Sequence, residues 1–366
     1  MPRQPSKPSL PFPTSESVDA AKTAAPAAPA VKKPAAKSVA KPTAQSARKA
    51  PPKPAAKVPT KTSAAALVVA PTAHSVYPFE IQNKALRKLW QQWQPGEPRD
   101  SRLSAEPPPV NLQNFDPAAK PFSANKGKQH DKDTAAQLAK ELDGLQNIFY
   151  ADRNFKLLVI LQGMDAAGKD GTLRGVFGQM TPLGVRTVGW KAPTEVEKAH
   201  DYLWRIHQQV PGAGEVVVFN RSQYEDVLVP VVNGFITPEQ QAQRYAQIND
   251  FERMLSETGT IVFKFMLHIS KDEQRQRLQE RLDDPCKHWK FDESDLKVRS
   301  QWDDYQQAYE KLLAATHTPW APWTIVPADS KTHRNLMIAT MLREVLNNLD
   351  LKYPPGAPAM DKIKVK

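Results

Sequence analysis

The 366-residue chain has a single cysteine, Cys286, which excludes an intrachain disulfide and any site built from several cysteine thiolates. It has no apolar run near the roughly 18 residues that a bilayer crossing needs. Its opening stretch, MPRQPSKPSLPFP, lacks the apolar segment of a secretory leader. Large side chains are scarce in residues 1–76, so little apolar area there could offset the entropy of ordering. No internal repeat is visible. Together these absences give the expectation of a soluble, cytoplasmic protein with one folded body and no membrane partner.

What is present is unevenly distributed. The formal net charge is +11, and residues 1–76 alone hold ten lysines and two arginines against Glu16 and Asp19. The same stretch carries 14 of the 34 prolines. It is expected to be a disordered Ala/Pro/Lys-rich basic tail with extended, polyproline-like pieces. Two roles fit it equally: a solubilising leader, or an arm for a polyanion such as DNA, RNA or inorganic polyphosphate. The rest of the chain is almost neutral.

Residues 77–110 are a bridging segment, in which EIQNKALRKLWQQW has the apolar spacing of a short amphipathic helix and EPPPVNLQNFDPAAKPF begins an extended stretch. Regular patterning follows. Leu138, Leu142, Leu145 and Ile148 recur at helical spacing from about Asp131. Continuous apolar runs at 156–162, 185–190, 215–220, 260–269 and 323–328 suit strands buried on both faces. Helical patterns at 195–209, 238–257, 271–282, 294–315 and 331–349 fill the gaps. The expectation is an α/β three-layer sandwich over 111–352 with a mostly parallel five-stranded sheet, and a short C-terminal tail at 353–366.

Three stretches carry chemistry. Gly163-Met164-Asp165-Ala166-Ala167-Gly168-Lys169 matches the spacing of a phosphate-binding loop, after a buried strand and before a helix. Glycines let backbone N–H groups converge on an anion, the helix N-terminus adds partial positive charge, and Lys169 adds a full one. Asp170 stands where such loops usually have the magnesium-binding Ser or Thr; Gly171 and Thr172 follow. Asp165 inside the loop would repel bare phosphate, so it points to a bridging magnesium ion, with proton acceptance or helix capping as competing roles. The second stretch, VVVFNRSQYEDVL, delivers Asn220, Arg221, Glu225 and Asp226 at a strand's carboxyl end, where ligands gather in parallel sheets. Arg221 could fork onto phosphate oxygens; the competing reading pairs it with Glu225 or Asp226. In the third, Ser270 and Glu273 form a capping-box signature, and Arg277 and Arg281 share a helix face that an intervening anion would stabilise. Lys287 and Lys290 come after Pro285. Residues 270–291 therefore suggest a phosphate-covering lid, unless Asp272, Glu280, Asp283 and Asp284 simply neutralise a solvated face.

LQGMDAAGKDGT, FNRSQYEDVLV and RLQERLDDPCKHWKF together resemble the polyphosphate kinase 2 family, supported by HDYLWRIHQQVPGAGE and APWTIVPAD. The resemblance runs over about residues 111–350. It implies a fold like that of thymidylate and adenylate kinases with a helical lid. It also implies phosphoryl transfer between inorganic polyphosphate and nucleotides, with magnesium and no covalent enzyme intermediate. Catalytic roles would fall to Asp165, Lys169, Arg221 and Glu225, and metal ligation to Asp165, Asn220 and Glu225. Arg277, Arg281, Lys287 and Lys290 fall on lid positions that contact phosphates. NRSQYED looks like the class III branch, which uses both mono- and diphosphates; other branches have Asp at position 220 and Asn at 225. Relatives of that branch carry Arg near position 231, where this chain has Pro230 and Val231. The implied partners are polyphosphate, AMP, ADP, guanine nucleotides as a further candidate, and a second copy of the chain, as dimer or tetramer. The competing functions are an ATP-dependent nucleotide kinase of the same fold and a polyanion-binding protein with an inactive kinase domain.

Overall fold

A computed structural model describes residues 81–102 and 106–357, together with 360, 363 and 365. The expected disorder and polyanion contact of residues 1–76 lie outside the described residues.

Five strands form one sheet: β1 (Lys156–Gln162), β2 (Val185–Gly189), β3 (Val216–Asn220), β4 (Thr260–His268) and β5 (Trp323–Pro327). All neighbours run parallel, in the order β2-β3-β1-β4-β5. The inner strands are apolar without alternation because helices cover both faces; Leu157 to Leu161 are all buried. One helix group is α2 (Gly127–Asp152) packed on α11 (Lys331–Asn347), with the α3 turn (Lys169–Thr172) beside them. The other is α6 (Glu225–Val232), α7 (Pro238–Glu257) and α10 (Trp302–Thr316). The chain leaves β1 toward β2 on one side and later returns past β1 to reach β4, so the winding reverses beside β1. Leu161 of β1 lies opposite Asn220 of β3 in the ladder, which sets the two strand ends side by side. That is where an open parallel sheet receives its ligand.

The segment before residue 111 is packed onto the body. Helix α1 (Lys84–Gln91) starts on Asn83, whose side chain accepts from Ala85 N and Leu86 N. Trp90 is buried and donates through Nε1 to Thr324 Oγ1 at 2.7 Å. Ile325 N donates to Trp93 O at 2.8 Å, so this segment covers the outer edge of β5. His317 fixes the next turn: Nδ1 accepts from Trp323 N, and Nε2 donates to Gly96 O. Burial pulls the His317 imidazole down to about 3, so it is neutral in this role.

Strand positions match the expected ones to within one residue, and two helical patterns divide. The pattern at 195–209 becomes α4 (Glu195–Lys198) and α5 (Trp204–His207). A full capping box between Thr194 and Glu197 starts the first, and Asp201 accepts from Leu203 N to restart the chain before the second. The pattern at 294–315 becomes α9 (Glu293–Ser300) and α10, with Gln301 at the bend. The capping box expected at Ser270 is half formed. Ser270 Oγ accepts from Glu273 N at the start of α8 (Lys271–Asp283), but the Glu273 carboxylate turns to Arg277 Nε at 2.8 Å. Ser270 N is taken by Asp329 Oδ1 instead.

Candidate active site

The loop between β1 and α3 is shaped by what lies behind it. Gly163 has φ 147°, and a Cβ there would stand 2.6 Å from Leu267 O. Gly168 has φ 105°, and a Cβ would overlap Arg334 Nη1. Neither position accepts a side chain, which explains the two glycines in the spacing. Lys169 opens the helix and folds back: Nζ donates to Gly163 O at 2.7 Å and Met164 O at 3.3 Å. Burial pulls its ammonium below the ordinary lysine value, with Asp165 opposing. One of its three N–H donors has no partner in these bonds.

Around the loop stand the expected partners. Arg221 Nη2 donates to Asp165 Oδ1 at 2.8 Å. Its pairing with Glu225 or Asp226 is not what forms; Asp226 is held by Arg205 at 3.0 Å. Arg221 has φ 67°, a left-handed backbone that a side-chain-bearing residue rarely adopts, and its N–H donates to Leu161 O. Burial works against its charge, but Glu225 and Asp165 outweigh burial and its pKa stands above the usual value. Glu225 Oε1 accepts from Gln162 Nε2 at 2.7 Å. Asn220 Nδ2 donates to Asp170 Oδ1 at 2.9 Å, and Asp170 Oδ2 lies 3.6 Å from Lys290 Nζ of the lid.

The cations expected on a lid divide into two kinds. Arg281 pairs with Asp295 at 2.9 Å, Lys287 pairs with Asp284 at 3.1 Å, and Lys290 reaches Asp170. Arg277 is buried, and all five of its N–H donors are used: on Glu273, on Ala166 O and Ala167 O, and on Ala328 O and Asp329 O. Each of the two arginines has its own carboxylate, Glu273 for Arg277 and Asp295 for Arg281, and both line the cleft. Arg277 also holds the loop through the carbonyls of Ala166 and Ala167.

Loop, β3 end and lid line one cleft of about 700 Å³ that also contains Lys191, Tyr305, Tyr309, Trp289 and Lys331. Eight lysines and arginines and six acids line it, so the cationic excess is modest. A second cavity, of about 620 Å³, is lined by residues such as Asn111, Trp302 and Glu310 and contains no loop residue. Sequence reasoning missed Gln162, Gln274 and Arg334. Gln162 is a fully buried amide ending an apolar strand, a visible anomaly; it ties Glu225 and Ser222 together. Gln274 donates to Asp165 O at 3.0 Å, and nothing local marks it.

Magnesium is bound through one or two carboxylates plus substrate phosphates and water. The oxygen donors here fit that mode: Asp165 and Glu225 line one cleft, and Asn220, its amide N–H spent on Asp170, keeps only its carbonyl oxygen for a metal. Among the described residues, no group of three or more His, Cys, Asp or Glu could hold a metal alone.

Residues 125–354 match the family model described as Polyphosphate kinase 2 (PPK2). The chain belongs to the polyphosphate kinase 2 family. It is 50% identical over 240 residues to the AMP/ADP-polyphosphate phosphotransferase of Meiothermus ruber, covering 66% of this chain and 90% of that one. It is 38% identical over 265 residues to the ADP-polyphosphate phosphotransferase of Rhodopseudomonas palustris, covering 69% and 91%. The crystal structure of Polyphosphate Kinase 2 from Arthrobacter aurescens TC1 superposes with TM-score 0.67 at 44% identity, covering 69% of this chain and 91% of that one. The α/β fold with an all-parallel sheet is therefore the family's own.

Proposed function

We propose that this polyphosphate kinase 2 phosphorylates nucleoside mono- and diphosphates from inorganic polyphosphate, converting AMP to ADP and ADP to ATP reversibly. One observation carries the reading: Asp165, Lys169, Arg221, Glu225 and the lid's Arg281, Lys287 and Lys290 all open onto a single cleft, in a chain half identical to an AMP/ADP-polyphosphate phosphotransferase. In the reaction an acceptor phosphate oxygen attacks the terminal phosphorus of the polymer. A new P–O bond forms, the bridging P–O bond breaks, and the electron pair leaves on a polyphosphate one unit shorter.

Such a transfer demands positioning and charge neutralisation more than covalent chemistry. The backbone N–H groups of 163–169 and Lys169 grip the transferring group. Lys169 must let go of Gly163 O and Met164 O to do so, or use its remaining donor. Arg221 turns from Asp165 toward phosphate oxygens. Asp165, with Glu225 and Asn220, would hold magnesium, which when bound screens the charge between donor and acceptor phosphates. The lid cations cover the polymer and exclude water. Direction follows mass action.

An ATP-dependent kinase on the same fold would not need the polymer. The test is a matrix of polyphosphate or ATP as donor against AMP, ADP, GMP and GDP, with magnesium. Product from polyphosphate with both AMP and ADP is the expected result. No turnover of either adenine nucleotide from polyphosphate would overturn it; turnover from ATP alone would establish the rival.

A further inference from the structure

Arg334 sits on α11, directly behind the phosphate loop. It is 1% exposed. Nη1 donates to Ala167 O at 3.3 Å, and Nε and Nη2 both donate to Asn335 Oδ1, at 3.2 and 3.0 Å. Among the described residues, none of these acceptors is a carboxylate. Its cationic neighbour Arg277 donates to the same Ala167 O, so two guanidinium groups share the space beneath one turn of the loop. Arg277 has Glu273 as counter-ion at 2.8 Å; Arg334 has none there. Burial, and then Arg277, pull the Arg334 pKa down to about 9.

A buried charge without a counter-ion is among the costliest things a fold can hold. The loop is built around this one all the same: Gly168 and Gly171 lack the Cβ atoms that would meet the guanidinium at 1.9 and 2.8 Å. Gly168, Lys169 and Gly171 line the cleft and Arg334 does not, so the loop backbone stands between Arg334 and the cleft. An anion in the cleft would face this charge across the wall, in a medium where screening is weak.

We propose that Arg334 is a positioning residue whose missing counter-ion is the bound phosphate chain: its charge acts through the loop to draw polyphosphate in and stiffen the loop around it. The inference rests on the polyphosphate reading of the cleft. Free enzyme carries the electrostatic cost, and ligand relieves it. Removing the charge should therefore move two quantities in opposite directions, which a merely structural arginine would not do.

The test uses the full chain, tripolyphosphate and long-chain polyphosphate, and melting temperature with and without ligand, read separately from turnover. In N335D a carboxylate of the same size replaces the amide whose oxygen Arg334 already bonds, at the cost of the long donation from Asn335 Nδ2 to Gly171 O at 3.5 Å; N335L, which loses that donation without adding charge, is the control for it. N335D should melt higher than wild type without ligand, gain less on adding polyphosphate, and show KM for polyphosphate raised on the order of tenfold with a smaller change in kcat. R334Q should likewise lose most of the ligand-induced gain, and R334K, which keeps the charge, should retain more of it. Unchanged polyphosphate response in N335D overturns the proposal. So does equal loss in R334Q and R334K, because geometry and not charge would then be the cause. Because binding is read by melting, a failure here differs from a failure of the proposed activity, in which wild type would bind or ignore polyphosphate without turning nucleotides over.

Discussion

Two sets of charges, one in the core and one at the cleft, are built differently. Deep in the core, Lys264 and Glu252 form an ion pair at 2.7 Å, with both side chains 0% exposed. Lys264 spends its three donors on Glu252, Tyr224 Oη and Thr316 O, and Glu252 also accepts from Gln223 and Tyr224. At the cleft, Lys169 holds two loop carbonyls, and Arg221 is 39% exposed with one carboxylate oxygen as partner. The core set is saturated and the cleft set is not. Saturation marks a charge that serves the fold, because an unfilled buried donor costs about 1–3 kcal/mol. Spare capacity at the cleft is what a bound anion would fill. Arg277 lines the cleft yet is saturated, so by the same rule it belongs with the core set.

The largest test of this division is Lys169→Ala. Loss of a phosphate clamp is expected to cut kcat by about a thousandfold, or ~4 kcal/mol of transition-state stabilisation, with little loss of fold. Stopped turnover together with a melting point lowered as far as in a core mutant would break the comparison. Next is Lys264→Met, which leaves the Glu252 carboxylate buried without its cation. Burial already pushes Glu252 up and pulls Lys264 down to about 8, so the variant will favour a protonated Glu252. Unfolding in denaturant should show a loss of about 3 kcal/mol, and kcat of the folded fraction should change little. The double variant with Glu252→Gln should recover much of the stability. A large drop in kcat at unchanged stability would move Lys264 into the functional set.

The same division explains what could be read from residues alone. Strands β1 to β5 were legible because continuous apolar runs of strand length have few other uses. The turn at 163–169 was legible because its glycines and lysine form a local spacing. Partners made across long sequence distances were not. Glu273 was assigned to Ser270 by proximity, and the fold gave it to Arg277. Arg277 and Arg281 looked alike on one helix face. Only tertiary contact with Ala328 and Asp329 shows that the first is buried. Arg334 carries no motif at all, and its meaning depends on Gly168 and Gly171 arriving against it. The break at Gln301 is likewise invisible to periodicity, since apolar residues continue through it.

Glu225→Asn gives the smallest and most discriminating effect. Glu225 Oε1 accepts from Gln162 Nε2 at 2.7 Å. Asparagine is one methylene shorter and gives up that bond along with the charge, so Glu225→Gln, which keeps the length and the bond, is the control that removes the charge alone. AMP brings fewer phosphate oxygens to a shared metal than ADP does, so its use depends more on protein carboxylates to complete the coordination. AMP use should fall about tenfold more than ADP use, close to 1.4 kcal/mol of discrimination. The measurement is the ratio of kcat/KM for the two acceptors at fixed polyphosphate. Equal losses would mean that Glu225 acts only through Gln162 and belongs with the saturated charges of the core.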